Sequence, residues 1–370
     1  MIEHRYIKQF TEIFNEVTTK KNISSNQIHL NENTHININP VEGIRWINVG
    51  DAGSGKTYLM AVVGNQTKNC TIFDPTAKFR DTLKEMGCEK DWMFYEFNKK
   101  NNSQSFKINV RDLNERIIDS LFPRTEDTAK KRQQRQAIED FLKENETKPK
   151  TYDDWEQMCE DKDLELIKKD LDYILSSKDA APDISFWGTG RKVIDCEGIT
   201  VKNPAIGVFL QAFIGMRSKL SKSYVLNLDN FVLFCLDEAQ SYCRQDTPLG
   251  NAFAKVNTEA RKYGIGELLV GAGYDTLHPE VRARWNMALI FNSKGLVKKY
   301  RGEGIDLILD DMSMLERHKY HCFMFSKDGK FNRRMILPDT YFLEVRNNKK
   351  TPAFLIEREE IEYSFNFSKR

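Results

Sequence analysis

The strongest chemical signal in the sequence is the run Gly50, Asp51, Ala52, Gly53, Ser54, Gly55, Lys56 and Thr57. It satisfies G-x-x-x-x-G-K-[ST], the pattern of a loop that cradles phosphate groups. Glycines let the backbone curl until successive N–H groups point at one anion. A helix beginning at the end of the loop adds its partial positive charge. Lys56 is then placed to reach the β- and γ-phosphates of a nucleotide, and the Thr57 hydroxyl to ligate Mg²⁺. The bland counterpart is a glycine turn with no ligand. Context argues against it, because Ile44 to Val49 reads as a buried strand and Thr57 to Val63 as the start of a helix.

A second signal lies far downstream. Phe231 to Leu236 is an unbroken apolar run, and Asp237 and Glu238 follow it directly. Such a run is a central strand buried on both faces, with carboxylates at its exposed tip. Beside a phosphate loop, Asp237 holds Mg²⁺, directly or through water. Glu238 orients or deprotonates the attacking water. The alternative is a strand end with solvated acids.

These residues need a scaffold, and strand and helix patterns alternate along most of the chain, which predicts an α/β fold with a mostly parallel sheet. Strands are expected at 70–75, 92–97, 192–198, 231–236, 266–273 and 288–292. Helices are expected at 79–86, 204–216, 250–264, 278–284 and 300–317, and 105–121 reads as a strand leading into a helix. Residues 320–325 and 334–337 read as a hairpin turning at Asp328-Gly329. Residues 1–40 predict an amphipathic helix followed by a linker or weak strand. The main domain spans 41–340, and 122–185 reads as a helical insertion. Residues 341–370 form a tail.

The 370 residues are 40% hydrophobic and 30% charged, ordinary for a globular chain, and the net charge of +2 gives no global bias toward nucleic acid. The basic cluster Lys130, Lys131, Arg132 and Arg135 is the place where phosphate backbones could be met, although a charge run is commonly a solvated face. Seven scattered cysteines without a C-x-x-C pair point to reduced core thiols and a cytoplasmic setting. No apolar run reaches the length of a membrane span.

With these motifs in place, the chain resembles the HerA/FtsK superfamily of phosphate-loop DNA-pumping ATPases over residues 41 to about 340. The landmarks are 50–57, then Ile72-Phe73-Asp74-Pro75, Val193-Ile194-Asp195 and Leu236-Asp237-Glu238-Ala239. The most specific is Ala260-Arg261-Lys262-Tyr263-Gly264-Ile265-Gly266 with Pro279-Glu280-Val281 after it. The resemblance implies a RecA-like phosphate-loop NTPase core with a short N-terminal helical extension. It also implies ATP and Mg²⁺ as ligands, a homo-oligomeric ring, usually hexameric, and movement of double-stranded DNA through its centre. It places Arg261 as an arginine finger delivered to a neighbouring subunit, with Arg282 and Arg284 in reserve. The short polar N-terminus fits compact motors such as the genome-packaging ATPases of membrane-containing and archaeal viruses, or a mobile-element protein, at work in the cytoplasm or at a virion.

One position departs from the family. Its usual glutamine at the tip of the strand after the Arg-Lys motif is Ala272 here, with Tyr274 or Asp275 as substitutes. That departure supports a second reading, an ATP-gated assembly or scaffold protein with weak hydrolysis in virion or filament morphogenesis. A small-molecule phosphotransferase is disfavoured, because no substrate-lid motif accompanies the loop.

Overall fold

A computed structural model of the chain describes residues 27–30, 34–38, 43–97, 104–122, 128–143, 151–161, 164–176, 181–220, 230–292, 315, 320–327 and 332–336. Eleven strands lie among them. The first two, β1 (Gln27–His29) and β2 (His35–Asn37), form an antiparallel ribbon. The rest are β3 (Arg45–Val49), β4 (Cys70–Asp74), β5 (Met93–Glu96), β6 (Arg191–Asp195), β7 (Val232–Leu236), β8 (Ile265–Gly271), β9 (Met287–Phe291), β10 (Cys322–Ser326) and β11 (Asn332–Ile336). They make one sheet in the order β11-β10-β9-β3-β8-β7-β4-β6-β5. Every pair from β5 to β9 along this order is parallel, and β10 and β11 add antiparallel at one edge. This is the mostly parallel α/β sheet expected from the sequence.

The central strands are buried on both faces, and alternate residues feed two different cores. Along β7, Val232, Phe234 and Leu236 join one hydrophobic cluster while Leu233 and Cys235 join the other. One face is covered by α1 (Lys56–Gln66), α2 (Phe79–Glu85) and the β1–β2 ribbon, through Leu59, Met60, Phe79, Leu83, Ile28 and Ile36. The stretch read as a linker or weak strand therefore packs as a two-stranded cover. The short helix α3 (Ile118–Leu121) belongs to the opposite face.

The helices over 122–185, the stretch expected to be an insertion, are α4 (Ala129–Lys143), α5 (Tyr152–Asp161) and α6 (Glu165–Leu171). Ile138, Leu142, Trp155, Met158 and Leu171 merge with the same large core as Phe73 and Phe234. These helices thus share the main core. The face is completed by α7 (Ala205–Leu220), with α8 (Ala239–Tyr242), α9 (Pro248–Thr258) and α10 (Pro279–Arg284). All seven cysteines are buried and unbridged.

Several boundaries move. Thr247 caps α9 by accepting from Gly250 N, and Pro248 occupies its first turn, so the helix begins earlier than expected. It stops at Thr258, and a tight 3-10 turn, Ala260–Tyr263, follows. Over 105–121 the expected strand-to-helix passage is two 3-10 turns, Val110–Asp112 and Glu115–Ile117, before the short helix α3. There the Asn114 side chain accepts from Arg116 N, and the Asn109 amide donates to Ala181 O. Such side chains offer the backbone an alternative to helix. The expected helices at 1–22 and 300–317, the Asp328-Gly329 turn and the tail lie outside the described residues, apart from Leu315, which is buried.

Candidate nucleotide site at the strand tips

Because β3 to β9 run parallel, their C-terminal ends share one edge of the sheet, where open α/β sheets receive ligands. The glycine loop leaves β3 at that edge and is pinned to the strands on both sides. Gly50 N donates to Gly271 O at 3.2 Å, and Asp51 N to Asn292 O at 2.7 Å. Gly50 has no room for a side chain, since a Cβ there would lie 2.6 Å from the Phe291 Cβ. Gly53 and Gly55 take the left-handed φ values 74° and 103°, which turn the loop into α1. No side chain caps that helix. The Ser54 hydroxyl is buried without a hydrogen-bond partner.

Lys56 folds back over the loop and donates to Asp51 O at 2.7 Å. Burial lowers the pKa of its ammonium, and the charges of Asp237, Glu238 and Asp51 oppose that shift. Lys56 therefore faces both carboxylates that end β7. The direct join is a hydrogen bond across 180 residues of sequence, from Thr57 Oγ1 to Asp237 Oδ2 at 2.9 Å.

Asp237 is only 5% exposed. Burial pushes its carboxyl up to about 6, against the donors Glu238 N–H and Thr57 O–H, while the charges of Glu238 and Asp74 push the same way as burial. The site is short of positive charge, and a cation placed there would favour the ionised form. Glu238 sits at φ 53°, a left-handed backbone conformation rare for a residue with a Cβ, and its N–H donates to Asp237 Oδ1 at 2.9 Å. This bend turns the chain out of β7 into α8.

The tip of β8 lies between the glycine loop and this acidic pair. Ala272 offers no side-chain polar group, but an amide does stand there. Gln240, from α8, accepts from Ala272 N at 3.1 Å through Oε1 and donates through Nε2 to Glu238 Oε2. Neither substitute read from the sequence takes this place. Tyr274 is buried, its hydroxyl bonded to Arg282 O and Trp285 Nε1, and Asp275 is exposed in the following turn. Gln240 was missed because its contact spans 32 residues. The available clues were its place two residues after Glu238 and the glycine opposite it.

Arg261 does not join these groups within the chain. It precedes β8, so the length of that strand, about 20 Å at 3.3 Å per residue, separates it from the tips. Its side chain is exposed, and no ion pair involves it among the described residues. Of the reserves, Arg284 is paired with Glu280 at 2.9 Å and Arg282 is half-buried. In the basic cluster, Lys130 and Arg132 are exposed, whereas Arg135 donates to Phe122 O.

The fold is similar to that of VirB4 of Thermoanaerobacter pseudethanolicus, with a TM-score of 0.56 at 14% identity over 88% of this chain and 99% of that one. Two further similarities are weaker. The bacterial conjugative coupling protein TrwB gives a TM-score of 0.46 at 14% identity, over 74% of this chain and 75% of that one. The genome packaging NTPase B204 from Sulfolobus turreted icosahedral virus 2, in complex with AMPPCP, gives 0.38 at 12% identity, over 81% and 98%. No family model matches the sequence, and no curated protein matches it. The likeness to VirB4 shows a shared fold, a RecA-like α/β core with a mostly parallel sheet.

Proposed function

We propose that this chain is a subunit of an ATP-hydrolysing motor that works as a homo-oligomeric ring, hexameric in form, and moves double-stranded DNA. The observation that carries the reading is the Thr57–Asp237 hydrogen bond, which brings the phosphate loop and the acidic strand tip to one place. Had they faced different sides of the molecule, no hydrolytic site could be assembled.

The residues fit a nucleoside triphosphate. Left-handed glycines, an uncapped helix start and a buried, unpartnered Ser54 hydroxyl form a cradle of donors. In this reading the loop amides beyond Asp51, up to Thr57, hold the phosphate oxygens, since those of Gly50 and Asp51 are bonded to the flanking strands, and Lys56 exchanges its bond to Asp51 O for the β- and γ-phosphates. Thr57 and Asp237 would hold Mg²⁺, which supplies charge neutralisation at the phosphates. An ion held by these two side chains would take part of its coordination from substrate oxygens. Glu238 takes a proton from water as its oxygen bonds to the γ-phosphorus, and the bond to the ADP oxygen breaks, releasing ADP and phosphate. Arg261, remote in its own chain, serves the neighbouring subunit's γ-phosphate.

The proposed unit is residues 41–340, including the helices of 122–185. Exposed Lys130 and Arg132 give α4 a face suited to phosphate backbones. No helix among the described residues is long and apolar enough to cross a membrane. A cytoplasmic or virion-associated place of action is part of this proposal.

The test compares ATP hydrolysis with and without long double-stranded DNA. Stimulation by DNA, lost in Lys56→Ala and in Glu238→Gln, is the expected result. Hydrolysis indifferent to DNA would replace the motor with the ATP-gated scaffold.

A further inference from the structure

We infer that Gln240 is a positioning residue for ATP hydrolysis: its side-chain amide clamps the Glu238 carboxylate to the end of β8 and sets where that carboxylate points. The inference rests on the reading of Glu238 as the proton acceptor.

The orientation of the amide follows from chemistry. The Ala272 backbone N–H can only donate, so it must face the amide oxygen, Oε1. The NH₂ is thereby turned toward Glu238, whose Oε2 accepts from it. An amide fixed at both ends leaves Glu238 one favoured direction, whereas a glutamate alone would sample several rotamers. The neighbouring residue makes room for the arrangement. Gly271 closes β8, and a Cβ built there would overlap Gln240 Oε1. The backbone of Glu238 is already bent into the left-handed region, which fixes the root of the side chain while Gln240 fixes its end.

The clamp also ties two segments together. Gln240 lies on α8, which follows β7, and Ala272 begins the passage from β8 toward α10. His278 N donates to Cys243 O at 2.7 Å, a second bond between the same two stretches. A displacement of the β8 tip would therefore be felt at Glu238 through one side chain.

The experiment measures kcat and KM for ATP with the full-length chain, in the parent and in Gln240→Ala, Gln240→Glu, Gly271→Ala, Glu238→Gln and the double variant Glu238→Gln/Gln240→Ala. A misdirected catalytic group costs about tenfold to 100-fold in rate, so each Gln240 variant should lose that much kcat with KM for ATP unchanged. Gln240→Glu has the shape of the parent and keeps an acceptor for Ala272 N, so it reads the role if the alanine variant does not fold. Gly271→Ala should reproduce the loss with Gln240 still present. Because Gln240 acts only through Glu238, the double variant should be no slower than Glu238→Gln alone. Hydrolysis that depends on Glu238 but keeps full kcat in both Gln240 variants overturns the positioning role and leaves the ATPase standing. A loss confined to KM, or one that compounds with Glu238→Gln, also overturns it. A parent without hydrolysis removes the ATPase reading itself, and this inference with it.

Discussion

Thr57→Val removes the single hydroxyl that joins the two halves of the site while keeping the side-chain shape. Thr57 Oγ1 stands 2.9 Å from Asp237 Oδ2, longer than the shortest charge-assisted O–H···O⁻ bonds. The lower end of the range for a bond to a charged group applies, about 1.5 kcal/mol, against about 1 kcal/mol or less once Asp237 is protonated. The sign follows from linkage. The Asp237 pKa is raised in the folded protein, from 3.8 to about 6, so the stability tied to its proton is full below pH 3.8 and is lost as pH rises through about 6. The Thr57 hydroxyl favours the ionised form, and its removal raises that folded pKa further. The loss of stability in the variant then extends to higher pH. Urea midpoints at pH 5 and pH 8, without nucleotide, provide the assay. Thr57→Val should be displaced from the parent by a small amount at pH 5 and by clearly more at pH 8, while Thr57→Ser should track the parent at both. Equal displacement at the two pH values would refute the coupling between hydroxyl and carboxylate.

Two other outcomes are expected. Glu267 is buried at 1% exposure with its Oε2 unpartnered, and burial pushes its carboxyl up to about 8, against its bond from Asn257 and the charge of Arg45. Its stabilising contribution is full below its unfolded pKa of 4.5 and lost as pH rises through about 8, at up to about 1.4 kcal/mol per pH unit. Glu267→Gln should match the parent near pH 5 and exceed it at pH 9 in thermal melts, and parallel curves would contradict this. For Arg261, mixing Arg261→Ala with Lys56→Ala chains should restore part of the hydrolysis that each lacks alone, because a mixed ring contains at least one intact shared site. Absence of rescue at every mixing ratio would count against delivery between subunits.

The parts of this molecule that could be read in the sequence are those governed by local rules. Strand, glycine loop and helix around Lys56 form one continuous stretch, and the apolar run of β7 announces burial on both faces by itself. A parallel sheet then places both tips on one edge, so the Thr57–Asp237 meeting followed from two local readings. What stayed hidden depends on contacts between distant residues. The strand order, with β8 between β3 and β7, follows from packing. The expected strand at 266–273 ends at Gly271 because Ala272 N bonds the Gln240 side chain. The turns of 105–121 stayed hidden because the Asn109 amide is held by Ala181 O, 72 residues away, and Asn114 caps a new 3-10 turn, so the helix starts late. The ion-pair state of Arg261 was equally invisible, since nothing near it in sequence shows which charges surround it.

The left-handed bend at Glu238 has an evolutionary corollary. A residue with a Cβ costs about 1 kcal/mol or more in that conformation, and glycine would relieve it. Drift toward greater robustness would therefore push this position to glycine and erase the acid. Under the role proposed for Glu238, a lineage that keeps glutamate here accepts a less durable fold in exchange for a proton acceptor, and a descendant that no longer hydrolyses ATP should carry glycine at this bend.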